Sequence, residues 1–139
     1  MYAGNLPEWM SRKTFEPQGE PVNFPALYAI VVGLLIFGQW AFFLITRQVP
    51  ELRTERVRVL FHIADEFLTA ALVIASGVGL LAQQSWATTI YPVAMGMLLY
   101  TIIVSSGYFV QKRVWPIVIM FAVLLVLMTI SLAVFWQNA

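Results

Sequence analysis

The chain has 139 residues, of which 60% are hydrophobic and only 11% charged, with a mean hydropathy of +0.81. A soluble domain carries about 25% charged residues, so this composition is that of an integral membrane protein. A net charge of +1 gives no basic field for nucleic acid, and the absence of cysteine excludes disulfides, thiolate metal sites and cysteine catalysis.

In chain order, the first 23 residues read MYAGNLPEWMSRKTFEPQGEPVN. Pro7, Pro17 and Pro21 and the lack of a continuous apolar core predict a polar, mostly irregular tail rather than a cleavable signal peptide. Trp9 and Phe15 suit the membrane interface, and a docking arm for a partner is the alternative use of such a tail. No lipidation signal is present, since residue 2 is Tyr and there is no Cys.

The first apolar span is expected over residues 24–46, with Pro25 in its first turn and Gln39 as its only strongly polar interior side chain. At 1.5 Å per residue it reaches roughly 34 Å, enough to cross the hydrocarbon with some tilt. The connection RQVPELRTER follows, with Pro50 interrupting any continuous helix. Span two, residues 57–82, carries His62, Asp65 and Glu66 within its first turns and leads through Gln83, Gln84 and Ser85 to Trp86. Span three covers 88–111 and closes on Lys112 and Arg113; span four, 114–136, is the most lipid-like. The expected fold is all-α: a polytopic bundle of four transmembrane helices over 24–139, preceded by the tail over 1–23.

The charges predict an orientation. Arg47, Arg53, Arg56, Arg58, Lys112 and Arg113 flank the connections after spans one and three, against Arg12 and Lys13 on the other side. The positive-inside rule then puts those connections in the cytoplasm and both termini outside, in the inner (plasma) membrane. Counting depth from the same end brings Gln39, the stretch His62 to Glu66, and Ser105, Ser106, Tyr108 and Gln111 to one level of the inner leaflet.

On span two, His62, Glu66 and Thr69 share a helical face, with Asp65 offset but in line with Arg58. An ionisable group facing lipid costs several kcal/mol, so Asp65 and Glu66 are expected to turn inward, pair or bind a proton. Four uses are open. Arg58–Asp65 or His62–Glu66 pairing, with hydrogen bonds to Tyr108, Ser105 or Gln39, would lock helices in register. Glu66 and His62 would relay protons or couple a small transporter. With Trp40, Tyr100, Tyr108 and Trp115 the cluster would hold a headgroup, quinone or pigment. A metal site has plausible ligand types but too few converging on one helix, so none is assigned. No nucleophile–base pair is identifiable, and the sequence names no cofactor. Ala71, Ala75 and Gly79, four residues apart, would let another helix approach closely, within the chain or from a second copy.

The stretches HIADEFLTAALVIASGVGLL and GMLLYTIIVSSGYFVQKRVWPIVIMFAVLL, with Trp86 between them, resemble a group of small uncharacterised four-span prokaryotic membrane proteins similar in look to DoxX-type proteins. The likeness covers about residues 57–127, and it implies a four-helix fold and a shared polar site without an activity. The expected function is therefore an accessory or binding component of a larger membrane assembly, with a small proton-linked transporter or channel as the alternative. Four helices of this length bury little surface, so a homo-oligomer or a larger complex is expected in the bilayer.

Overall fold

The computed structural model describes residues 23–138, so the expected tail lies outside the described residues apart from Asn23. The helices are α1 (Asn23–Ile45), the single turn α2 (Glu51–Thr54), α3 (Arg56–Leu81), α4 (Ala87–Gln111) and α5 (Trp115–Asn138). No strand occurs among the described residues. Four of the helices are long and apolar enough to cross a membrane, which makes this a multi-pass membrane protein. Their ends fall within two residues of the expected spans wherever both are defined. Pro50 does more than interrupt: it caps α2, and its carbonyl accepts a 3.1 Å bond from the Arg53 amide.

Three crossings end in the same way. After α1, α3 and α4 the chain places one residue in the left-handed region: Arg47 (φ 54°), Gln83 (φ 54°) and Arg113 (φ 55°). The following amide then reaches back five residues, Gln48 to Phe43 at 3.0 Å, Gln84 to Gly79 at 2.9 Å and Val114 to Phe109 at 3.1 Å. These are Schellman turns, which satisfy otherwise orphaned helix-end carbonyls and usually employ glycine. Here none does.

Each long helix packs against its neighbour in sequence, and α5 returns to α1, so the four close a ring. The tightest seam joins α1 to α3. A Cβ on Gly77 would lie 2.7 Å from the Ala26 carbonyl oxygen and 2.8 Å from Ile30 Cγ1, and one on Gly33 would lie 3.0 Å from the Ala70 carbonyl oxygen. Ala26, Ala29 and Ala70 are fully buried in this seam. Small residues allow such approach where no hydrophobic drive separates helix from lipid. The stripe singled out in the sequence lies elsewhere. Ala71 and Ala75 face outward, while Gly79 is buried against Trp86 and Ala87. One residue along a helix is a rotation of about 100°, which separates Ala70 in the seam from Ala71 outside it.

At the end of the bundle that holds the start of α1, two tyrosines tie α5 in place. Tyr28 donates to the Leu124 carbonyl at 2.7 Å, and the Tyr91 and Ser131 hydroxyls bond to each other. Between these ties and the opposite end lies an apolar layer that includes the fully buried Val73, Met95 and Leu98.

A candidate ligand cavity around Glu66

The opposite end of the bundle is hollow. A cavity of about 720 Å³ opens there, bounded by the end of α1, the segment through α2, the start of α3, the end of α4 and Ile117 of α5. Up-and-down connectivity brings those termini together, so residues far apart in sequence share one level.

Glu66 forms the deepest charged point, only 5% exposed. Its carboxylate has about four acceptor positions, and two accept hydrogen bonds. The Trp40 indole N–H donates to Oε2, the Ser105 hydroxyl donates to Oε1 at 2.9 Å, and His62 Nε2 lies 3.3 Å from Oε1. The Trp40 and His62 rings meet edge to face, 5.9 Å between centroids. Glu66 and His62 are one helical turn apart, so α3 supplies both from one face, while α1 and α4 each deliver one neutral donor. A buried carboxylate with this many donors is satisfied locally, which is how such a charge is tolerated inside a bundle.

The rim carries two ion pairs. Glu51 accepts from Lys112 Nζ at 3.2 Å and from the Tyr108 hydroxyl at 3.0 Å, and the Lys112 ammonium sits 4.6 Å from the centre of the Tyr108 ring. Its own backbone amide, then Lys112 and Tyr108, hold the Glu51 carboxyl below its ordinary value. Tyr108, then Glu51, hold the Lys112 ammonium above its ordinary value. Arg58 pairs with Glu55 at 2.8 Å. The alternative partner read from the sequence, Asp65, stands seven residues along the helix, about 10 Å up the axis, whereas three residues is a neighbouring position.

Gln39, His62, Glu66, Ser105, Tyr108 and Gln111 all line the cavity. Three other candidates do not. Ser106 folds its hydroxyl back onto the Ile102 carbonyl at 2.6 Å. Thr69 is fully buried one turn deeper than Glu66, and its hydroxyl, like that of Thr101, has no hydrogen-bond partner among the described residues. Asp65 is partly exposed, lies outside the cavity lining and forms no ion pair among the described residues. Of the aromatic residues considered, Trp40 and Tyr108 reach the cavity, while Tyr100 and Trp115 are exposed outside it. Glu51, Glu55 and Gln48 were not singled out in the sequence; opposite charges in two loops at the same end of the bundle are the one signal that could have paired Glu51 with Lys112. No group of three or more His, Asp or Glu side chains converges among the described residues.

A family model, "Domain of unknown function (DUF8058)", matches residues 21–139. The chain belongs to the DUF8058 family. The match takes in α1, which the DoxX-type likeness did not cover, and it gives that likeness no support. No curated protein and no solved structure matches the chain. In this DUF8058 chain the region matched spans all four crossings, so every wall of the cavity lies inside the family domain.

Proposed function

We propose that this protein is a membrane-embedded binding component that holds a small amphipathic molecule in the Glu66 cavity, within a larger assembly of the plasma membrane. In this reading the cavity mouth faces the cytoplasm and both termini lie outside, as the distribution of basic residues favours. The observation that carries the reading is the cavity itself. Its volume of about 720 Å³ falls within the range of small-molecule sites, and it combines aromatic walls with a few convergent polar groups.

The cavity supports binding over conduction because its polar lining stops. Beyond Glu66 and Ser105 come the Thr69 and Thr101 hydroxyls, and beyond them the apolar layer around Val73, Met95 and Leu98. Transport coupled to the His62–Glu66 pair would need that layer to open. Association with further chains is favoured by Asp65, since a partly exposed carboxylate in a crossing helix, with no ion-pair partner among the described residues, costs about 2.5–3.5 kcal/mol at the bilayer centre unless a neighbour supplies a donor.

The test is native mass spectrometry of gently extracted protein, read for retained small molecules and partner chains. Gly107 lines the cavity, and a Cβ there would meet nothing within 4 Å, so Gly107→Trp is the variant that adds bulk at its edge with room for the first side-chain atom. The wild type retains an adduct that Gly107→Trp loses. Equal adducts in both proteins, or none in either, would remove the binding reading. Proton-driven flux in proteoliposomes that Glu66→Gln abolishes would replace it with transport.

A further inference from the structure

The charges lining the cavity do not cancel. Glu51 is matched by Lys112 and Glu55 by Arg58, each within direct contact. That leaves Glu66, 5% exposed and the most buried carboxylate of the lining, facing His62 with no lysine or arginine in contact among the described residues. With His62 neutral the lining sums to one negative charge, from three glutamates against one arginine and one lysine. Trp40 and Ser105 stabilise that charge with dipoles but do not neutralise it. These hydrogen bonds satisfy the carboxylate's lone pairs, and a cation entering the cavity would add the charge pairing that they lack.

The walls indicate what kind of cation. Trp40, Phe43, Tyr108 and Phe109 line the space between rim and floor. Aromatic faces attract cations, and attract them most when the site is desolvated. A bare monovalent metal ion would occupy a small fraction of about 720 Å³, whereas sites of this size suit small organic molecules. On the binding reading above, we infer that the ligand of this site is an amphipathic molecule bearing an ammonium group: the ammonium set against Glu66 and an apolar body held among the aromatic walls. The same ammonium chemistry is offered by a free organic cation and by the headgroup of an ethanolamine lipid.

The test uses probes of one shape and different charge. Phenyltrimethylammonium, its uncharged isostere tert-butylbenzene and the anion 4-tert-butylbenzoate are titrated into the full chain in neutral maltoside micelles, with empty micelles subtracted. The cation is expected to bind at least tenfold more tightly than the isostere, and Glu66→Gln to erase that preference while leaving the isostere unchanged. Equal binding of cation and isostere, preference for the anion, or a cation preference that survives Glu66→Gln overturns the cationic assignment and leaves the cavity a binding site of another class. Failure of every probe, together with absence of any adduct lost in Gly107→Trp, overturns both. The wild-type ratio decides even where Glu66→Gln does not fold. Phosphatidylethanolamine added to the micelles separates the sources: competition with the cation assigns a lipid headgroup, and its absence assigns a free organic cation.

Discussion

Replacing Gly77 by alanine tests the seam that sets the geometry of the cavity. The added Cβ would sit 2.7 Å from the Ala26 carbonyl oxygen, 2.8 Å from Ile30 Cγ1 and 3.1 Å from Ala29 Cβ. Ordinary contact begins near 3.4 Å, so α1 must retreat from α3 by more than half an ångström at this point. A carbonyl oxygen in a helix cannot rotate aside as a side chain can. Overpacking of this kind costs about 1–3 kcal/mol. Against this stands the helix preference for alanine over glycine, about 1 kcal/mol in the other direction. The net expectation is a loss of about 0–2 kcal/mol, and a tightly specified control sharpens it. Gly96, in α4, has nothing within 4 Å of its Cβ position, so Gly96→Ala carries the propensity gain without the clash. The two variants, unfolded thermally and by denaturing detergent with helicity as the readout, should differ by about 1–3 kcal/mol, with Gly77→Ala the less stable. Equal midpoints, or Gly77→Ala above Gly96→Ala, would refute the close approach of α1 and α3. A shift in α1 also moves Trp40 relative to Glu66, so Gly77→Ala should weaken retention of any bound molecule.

Three more outcomes are expected. The Glu51–Lys112 pair joins a carboxyl held below its ordinary value to an ammonium held above its own, so its stabilisation is complete between those ordinary values, near 4.5 and 10.5. It is lost as pH falls through the lowered carboxyl value or rises through the raised ammonium value; the gap in thermal midpoint between wild type and Lys112→Met should therefore be flat across neutral pH and close at both extremes, at less than about 1 kcal/mol for so exposed a pair. Thr69→Val removes a buried hydroxyl that has no partner among the described residues and should be neutral or stabilising by up to about 2 kcal/mol in the same unfolding assay; a marked loss would mean that the hydroxyl is bonded. Gln83→Gly relieves a left-handed backbone at φ 54° and should gain about 0.5–1 kcal/mol, which a lowered midpoint would contradict.

Much of this architecture was readable from the chain because bilayer thickness fixes how long an apolar helix must be. The same regularity made depth readable. Counting at 1.5 Å per residue put Gln39, His62, Glu66, Ser105, Tyr108 and Gln111 on one level, and all six line one cavity. Depth alone does not give direction around the helix axis. Asp65 shares the depth of Glu66 but points about 100° away, and so lies partly exposed and outside the cavity lining. Likewise Ala71 and Ala75 have the spacing of a packing seam, yet the seam runs through Ala70 and Gly77, because which face turns inward depends on all four helices at once. The Glu51–Lys112 contact joins residues 61 apart that lie in connections without any period to count. The helix stops were hidden for another reason: the usual glycine is missing from all three.

That missing glycine ties two properties together. Arg47 and Arg113 each hold the left-handed position that ends a helix, and each is also among the basic residues gathered at the cavity end. Glycine at both sites would relax two turns and simultaneously reduce the six basic side chains Arg47, Arg53, Arg56, Arg58, Lys112 and Arg113 to four. On the orientation proposed above, a thermostability screen at these positions would thus erode the basic bias on which that orientation rests. The strained turn at Gln83, which carries no charge, is the one of the three where conformational relief and membrane topology are decoupled.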